Sequence, residues 1–302
     1  MEVSGISKCF TYPVVDLDKA ADTVIKTAGR HRGPHVAGQH AVWMFRKIFI
    51  REFIRERRTW PKTTIIGPLN PVIAQARLDG TWGETSGEWG PNLFRNIQLD
   101  EKLNFDWHLD TTDLLSDKSI APPLSSWAQE YDTRYSWLRH RVTPYKGPPA
   151  QKRLIIKHLN TPIVDTKESI MRLLHRSNPE NQITVMCPKE RELSRDRARY
   201  FTKLTFDGRL HQVTSESNMK KVFRYYPHQS MTLSGNSLTK VVLKNSARSF
   251  MKVHVDFSKF CLHQCHLLNV FTAMEIDRLF GTPSLYEFIH IFPQEAFTLF
   301  QD

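Results

Sequence analysis

Apolar side chains recur at helical spacing between residues 39 and 60. The stretch ends in Arg-Glu-Arg-Arg and is followed by Pro61 after two residues, and proline does not continue a helix. This pattern predicts a basic amphipathic helix over residues 39–60. Its predicted apolar face consists of Val42, Phe45, Ile48, Phe49 and Phe53.

Four further stretches have the periodicity of helices. Residues 153–159 and 234–244 predict short helices, and Thr166 is placed to cap a third helix over residues 166–176. Residues 264–280 predict a longer helix that ends at Gly281.

Strands are predicted in two places. Residues 183–186 form a short apolar run, and residues 250–257 alternate between apolar and polar side chains. Proline, glycine and tryptophan break residues 61–100 into short elements, and a cluster of Pro and Gly makes residues 134–149 the best candidate linker. The expected fold class is therefore α+β and mostly helical.

The composition is that of a folded protein. The chain has 302 residues, of which 40% are hydrophobic and 24% are charged, so it can bury a core in one or two domains. Its apolar runs are shorter than a membrane span and its N-terminus lacks a secretory pattern, so no membrane association is expected. Its four cysteines are scattered, which favours a reducing compartment over a disulfide framework.

The net charge of +11 favours an acidic partner such as nucleic acid. The segment from Cys187 to Arg224 contains ten Lys or Arg but only five Asp or Glu. The charge is densest in PKERELSRDRARYF at residues 188–201. Guanidinium and ammonium groups in such a cluster suit phosphate. An ordinary solvated surface is the alternative interpretation.

Asp256 lies near the end of the predicted strand over residues 250–257. A carboxylate in this position can bind Mg²⁺, although it can equally serve as a turn or capping residue. A rival zinc site is suggested by CLHQCHLL, but no second ligand pair is found and the i, i+4 cysteines also suit a plain helix. The zinc candidates are Cys261, His263, Cys265 and His266.

Several enzyme classes lack their motifs in this sequence. There is no G-x-S-x-G nucleophile elbow, no G-x-x-x-x-G-K-[ST] phosphate loop and no G-x-G-x-x-G dinucleotide fingerprint.

The order of the remaining motifs resembles the large (L) RNA-directed RNA polymerase of non-segmented negative-strand RNA viruses, most closely its rhabdovirus-like branch. The series consists of KEREL at 189–193, ARYF at 198–201, MTLSGNSLTK at 231–240 and HVDFSKF at 254–260. In that family the first two form the basic finger motif over the incoming nucleotide, and a palm strand ending in Asp follows. Further resemblance is found in DLLSDKSIAPP at 113–123, in LFGTPSLYEFIHIF at 279–292 and in a permuted Gly-His-Pro signature at 33–35.

The resemblance implies a role for each matching residue. Lys189, Arg191 and Arg199 would contact phosphates of the nucleoside triphosphate or of the template, and Asp256 would ligate catalytic Mg²⁺, with Mn²⁺ as an alternative. Glu190 would orient the basic side chains, as would Glu192. Arg209 and Glu216 also match residue types of the family and are candidates for structural roles.

The resemblance further implies a partial right-hand polymerase. Residues 1–150 would be the N-terminal part of the polymerase region, residues 151–249 the fingers, and residues 250–302 the start of the palm. Nucleoside triphosphates would be the substrates. The implied partners are template RNA within nucleoprotein and a viral phosphoprotein, in host cytoplasm or virion, with the nucleus as an alternative.

Departures from the family pattern limit the expected activity. Ala198 replaces a glycine, the spacer before Arg199 is one residue longer, and Cys261, Leu262 and Cys265 stand where Asn, Asn and Arg are common. No Gly-Asp-Asn motif occurs in the 302 residues, so the second metal-binding carboxylate is missing and no polymerase activity is expected from this chain alone.

Three interpretations of these departures stay open. The chain is read as a fragment of a viral polymerase, from either a partial viral gene or a virus-derived insertion in a host genome. The second interpretation is a non-catalytic protein that binds RNA or nucleoprotein. The third is an unstable product without function, since the predicted strand over residues 250–257 would keep an unpaired edge.

Overall fold

The computed structural model describes residues 16–28, 35–81, 89–115, 119–124, 153–188, 199–226, 229–230, 233–248 and 266–300. The α+β, mostly helical class is confirmed. In chain order the first elements are α1 (Leu17–Ala28), α2 (His35–Arg57), β1 (Thr63–Ile65), α3 (Pro71–Leu78), a 3₁₀ turn (Pro91–Phe94), β2 (Ile97–Leu99) and α4 (Thr111–Leu115). They are followed by α5 (Leu154–Leu159), α6 (Thr166–Leu174), a 3₁₀ turn (Pro179–Asn181), β3 (Ile183–Pro188) and β4 (Tyr200–Leu204). The last elements are α7 (Phe206–Phe223), α8 (Gly235–Arg248), α9 (His266–Phe280), α10 (Leu285–Glu295) and β5 (Phe297–Phe300).

The chain folds into two compact units, each assembled from separate segments. The first contains Met1–His31, Trp107–Thr214 and Ile291–Asp302, and the second contains Arg32–Asp106 and Ser215–His290. The predicted division into an N-terminal part, fingers and the start of the palm stays a prediction.

The predicted helices are present with small shifts at their ends. The predicted basic helix is α2, the two short ones are α5 and α8, and the helix before Gly281 is α9. Gly281 has φ +64, the left-handed conformation in which glycine commonly ends a helix. The predicted linker at 134–149 and the predicted strand at 250–257 lie outside the described residues.

The predicted cap of α6 was wrong by one residue. Asp165 is the N-cap, and its carboxylate accepts the Glu168 N–H at 2.9 Å, while Thr166 is the first helical residue. A carboxylate is at least as good an N-cap acceptor as a hydroxyl, and its charge suits the positive end of the helix dipole. Ile170 and Leu173 of this helix are buried.

The sheet of the first unit has the strand order β4-β3-β5. β3 pairs antiparallel with β4 from Thr184↔Leu204 to Pro188↔Tyr200, and parallel with β5 from Ile183↔Phe297 to Met186↔Phe300. Alternation places Ile183, Val185 and Cys187 of β3 in one buried cluster. A second cluster joins α4, α5 and α7, and its buried members are Leu114, Ile120, Leu154, Leu210 and Val213.

The second unit is built around the contact of α2 with α9. The helices approach closely at Gly38, where an added Cβ would lie 2.6 Å from the Phe271 ring. Arg46 of α2 is 6% exposed and donates to Glu275 of α9 from Nε at 3.0 Å and from Nη2 at 2.8 Å. A buried, bidentate ion pair of this kind fixes how the two helices align.

Asp277 connects α9 to α10. Its carboxylate accepts the backbone N–H groups of Leu285, Tyr286 and Glu287, at 2.8 to 3.1 Å, and the Thr282 hydroxyl at 2.6 Å. Burial raises the pKa of Asp277, and these hydrogen bonds oppose the rise. The carboxylate therefore caps the first turn of α10 from the neighbouring helix.

Candidate functional site

The densest charged stretch of the sequence connects two paired strands. We call residues 189–199 the basic connection. β3 ends at Pro188 and β4 begins at Tyr200, and these two residues are partners in the antiparallel register. The two ends of the basic connection therefore start from adjacent positions at one end of the strand pair.

The structure describes one of the predicted site residues. Arg199 is exposed and lies directly before β4. Lys189, Arg191 and Asp256 lie outside the described residues, and so do Cys261, His263 and Cys265 of the zinc alternative. His266 is the first residue of α9.

The strands that frame the basic connection are firmly packed. Val185 and Cys187 of β3 are 1% and 3% exposed, and Phe201 of β4 packs on the same cluster. Burial raises the pKa of the Cys187 thiol, and the charge of Lys203 opposes this rise. A buried thiol with a raised pKa is a poor nucleophile, so Cys187 serves packing.

Arg209 supports β4 from the first turns of α7. Its guanidinium donates to the backbone carbonyl of Thr202 at 2.8 Å and to the Gln212 side chain at 2.6 Å. This contact holds the strand that begins next to Arg199, which is a structural role. Glu216 is exposed on α7.

The cations toward the end of α7 serve the packing of the second unit. Lys221 donates to the Asn104 carbonyl at 2.8 Å, and Arg224 pairs with Glu56 and lies over the Tyr225 ring at 5.4 Å. The ten cations between Cys187 and Arg224 are therefore not a single phosphate-binding surface. The basic connection is the part of this charge that remains a candidate.

A cavity of about 260 Å³ lies in the first unit beside α6 and the start of α7. Its carboxylates have partners within the protein, because Asn181 donates to Asp207 at 2.6 Å and Arg172 donates to Glu168 at 2.9 Å. Burial raises the pKa of Asp207, while the Arg172 charge and hydrogen bonds oppose the rise. These internal pairs indicate a structural polar network.

Two features are absent from the described part of the chain. It contains no group of three or more His, Cys, Asp or Glu placed to hold a metal ion. No helix among the described residues is long and apolar enough to cross a bilayer.

Fold and charge together define a basic, mostly helical α+β protein with a cationic connection framed by a strand pair. Residues 1–298 match the family model described as Mononegavirales RNA dependent RNA polymerase. The chain belongs to this family.

Similar proteins are the L proteins of rhabdoviruses. The chain is 24% identical over 307 residues to "RNA-directed RNA polymerase L" of Snakehead rhabdovirus, covering 96% of this chain and 14% of that protein. It is 24% identical to the protein of the same name from Taro vein chlorosis virus, covering 65% of this chain and 10% of that protein. It is 26% identical to the "Large structural protein" of Mokola virus, covering 64% of this chain and 9% of that protein. The chain thus spans about one-seventh of the length of the first of these relatives.

Proposed function

We propose that this chain forms the fingers and the beginning of the palm of a viral RNA-directed RNA polymerase, a partial right hand. Within that enzyme it would take part in template-directed nucleotidyl transfer from nucleoside triphosphates. The proposal is supported by family membership over nearly the whole chain. Its main structural support is the pairing of Pro188 with Tyr200, which anchors both ends of the basic connection on one packed sheet.

In this proposal Lys189, Arg191 and Arg199 neutralise phosphate oxygens of the incoming nucleotide or of the template. Phosphoryl transfer spreads negative charge over the transferred group, so fixed cations next to it lower the barrier. Arg199 directly precedes β4, whose Phe201 packs on the buried cluster, and a cation held in place needs little reorganisation during the reaction. Glu190 and Glu192 are proposed to orient these cations, since carboxylates repel phosphate.

Asp256 is the proposed ligand of a catalytic divalent cation. The donor chemistry fits Mg²⁺, which prefers oxygen ligands and is commonly held by one or two carboxylates together with substrate phosphates. When bound, the ion would neutralise developing charge on the transferring phosphate. Two-metal transfer needs a second palm carboxylate, and the 302 residues contain no Gly-Asp-Asn motif to supply it.

The organisation of the polymerase region is part of the same proposal. Residues 1–150 would lead into the polymerase region, residues 151–249 would be the fingers, and residues 250–302 would start the palm. Template RNA within nucleoprotein and a phosphoprotein are the proposed partners, and host cytoplasm or the virion is the proposed location. Two of the similar proteins are named RNA-directed RNA polymerase L, which supports RNA as a partner.

The first test is RNA binding by the chain with Lys189, Arg191 and Arg199 all changed to alanine. The affinity for a single-stranded RNA of about 20 nucleotides should fall by on the order of tenfold at about 100 mM salt, and the slope of log affinity against log salt should shrink by about 2. Fluorescence anisotropy measures both. A matched control removes one lysine and two arginines elsewhere, with Lys62→Ala, Arg77→Ala and Arg95→Ala, all exposed positions. Equal losses in the two variants would count against a phosphate-binding connection.

The second test is primer extension by the purified 302-residue chain with RNA template, nucleoside triphosphates and Mg²⁺. No extended product is expected, because one palm carboxylate does not complete a two-metal site. A product that disappears in Asp256→Ala would overturn this expectation. Product that persists in Asp256→Ala would indicate a contaminating polymerase.

A second candidate function is non-catalytic binding of RNA or nucleoprotein by the product of a virus-derived host sequence. It is favoured by the residues that depart from the family pattern around the proposed nucleotide site: Ala198, Cys261, Leu262 and Cys265. The two candidates separate in a longer polymerase that carries this segment. The catalytic role requires that Asp256→Ala abolishes its synthesis, whereas the non-catalytic role requires RNA binding without any effect of that change.

A further inference from the structure

Helix α2 carries a row of cations on one face. We call Lys47, Arg51, Arg55 and Arg58 the α2 stripe. The i, i+4, i+8 spacing of Lys47, Arg51 and Arg55 places these three residues within about 80° around the helix and along about 12 Å of its axis. Arg58 is the first residue after α2, where its N–H still donates to the Ile54 carbonyl at 2.8 Å. Its φ of +60 is left-handed, so it lies at the end of the row without following the helical angle.

The stripe is separate from the faces of α2 that hold the second unit together. Phe49 and Phe53 are buried and pack on Tyr225 with ring centroids 4.8 Å and 5.6 Å apart. Arg46 faces α9 through its pair with Glu275. On the stripe, by contrast, the side chain of Arg55 is 61% exposed and that of Arg51 is 26% exposed.

Residues 47–58 carry more positive than negative charge. Five cations and two carboxylates lie between residues 47 and 58. Glu52 is 7% exposed and accepts from Arg51 Nε at 3.0 Å and from Arg55 Nη1 at 2.6 Å. One buried carboxylate thus holds two guanidinium groups in fixed positions and leaves a net positive charge at the surface.

The cations of the stripe also repel each other. Partial burial and the positive charge of Arg51 lower the pKa of Lys47. The packing of α2 does not explain why two cations lie next to each other here, since Lys47 and Arg51 are on the side away from the aromatic contacts. A bound polyanion would relieve it.

We infer that the α2 stripe binds the phosphodiester backbone of single-stranded RNA. Successive positions rise by about 6 Å along the helix, which gives regularly repeated cations for a regularly charged strand. His40 lies on the same face about two turns before Lys47, and its ring is 6.2 Å from that of the half-buried Trp43, so an aromatic pair adjoins the row. Cations beside an exposed aromatic ring suit a single strand, because its bases can stack on the ring while its phosphates are bound.

This inference stands apart from the proposed role of the basic connection. The stripe belongs to the second unit and the basic connection to the first. It requires neither polymerase activity nor a metal ion. Each surface can therefore be removed on its own, and failure of one proposal can be told from failure of the other.

The test is RNA binding by the 302-residue chain with Lys47→Gln, Arg55→Gln and Arg58→Gln. Arg51 is kept so that the buried Glu52 retains a partner. The affinity for a single-stranded RNA of about 20 nucleotides should fall by on the order of tenfold at about 100 mM salt, and the salt slope should shrink by about 2. The matched control carries Lys62→Gln, Arg77→Gln and Arg95→Gln and should lose no more than about threefold through net charge alone.

Each outcome decides the inference. A larger loss of RNA affinity in the stripe variant than in the control variant supports the inference. This holds whether or not the triple change in the basic connection also weakens RNA binding. Equal binding by the stripe variant and the control overturns it. A stripe variant that loses binding to a polyglutamate peptide but keeps binding to RNA also overturns it, and assigns the surface to an acidic protein instead.

A measurement on the unchanged protein covers the case in which the variant does not fold. Acetylation of lysines is followed by mass spectrometry with and without the same RNA. RNA should slow acetylation of Lys47 several-fold while Lys62 and Lys102 react at unchanged rates. Equal rates at Lys47 with and without RNA would contradict the inference.

Discussion

Asp277→Ala is expected to destabilise the second unit by about 4 kcal/mol, because three backbone N–H groups at the start of α10 would lose a buried acceptor. The aspartate is 6% exposed, so water does not readily replace the lost oxygens. Asp277→Asn keeps one oxygen but turns an amide group toward backbone donors, and a loss of about 2 kcal/mol is expected. Urea denaturation followed by circular dichroism measures both changes.

The control for Asp277 is an exposed aspartate in the same unit. Asp79 lies at the end of α3 and accepts from Gln75 at 2.7 Å on the surface. Asp79→Ala should change the free energy of unfolding by less than about 1 kcal/mol. If Asp277→Ala were as mild as this control, the capping role assigned to the carboxylate would be wrong.

Glu275→Ala is expected to cost about 3–5 kcal/mol of unfolding free energy, since it leaves the charge of Arg46 buried without its carboxylate. Arg278, which also donates to Glu275 at 3.0 Å, is half-exposed and can turn to water.

Burial and the charge of Glu275 both raise the pKa of Tyr226, so its hydroxyl stays protonated and donates to the Phe45 carbonyl.

A double replacement distinguishes a buried charge from a lost contact. Arg46→Met with Glu275→Leu removes both charges and keeps apolar volume between α2 and α9, so it should recover most of the stability lost in Glu275→Ala. The measured quantity is the coupling free energy of the double-mutant cycle from urea denaturation. If the double variant is as unstable as the sum of its single changes, the interaction assigned to the ion pair is contradicted.

Local pattern was sufficient to predict much of the helical structure. The apolar spacing of α2 is a property of a single segment, and so is the glycine that ends α9. The end of α2 was predicted less well, because the helix ends at Arg57 and Arg58 has φ +60, before the predicted end at residue 60. The fold class followed from these elements. Helices α1, α7 and α10 were not predicted from periodicity.

The apolar spacing of α9 did not predict correctly which of its side chains are buried. Its spacing places Met274 among the apolar residues, but Met274 is 36% exposed, while Glu275 and Asp277 are 3% and 6% exposed. Burying a carboxylate depends on its partners. The partner of Glu275 is 229 residues away in the sequence, and those of Asp277 lie in the next helix, so no local pattern contains them.

Charge counting located the candidate site only in part. It grouped the cations from residue 187 to residue 224, although Arg209, Lys221 and Arg224 serve internal contacts. The role of the basic connection was read from the order of motifs, and the strand register then supplied its frame. The α2 stripe was visible in the sequence as a basic helix, but the face it occupies depends on where Tyr225 and Glu275 pack.

Photo-crosslinking tests most directly whether the basic connection contacts RNA. The 302-residue chain is bound to single-stranded RNA containing 4-thiouridine, irradiated, digested and analysed by mass spectrometry. Crosslinked peptides that cover residues 189–199 are expected, and they should disappear when Lys189, Arg191 and Arg199 are changed to alanine and persist when Lys62, Arg77 and Arg95 are changed instead. Crosslinks found only elsewhere on the chain, and unaffected by the first set of changes, would contradict the proposed phosphate-binding role.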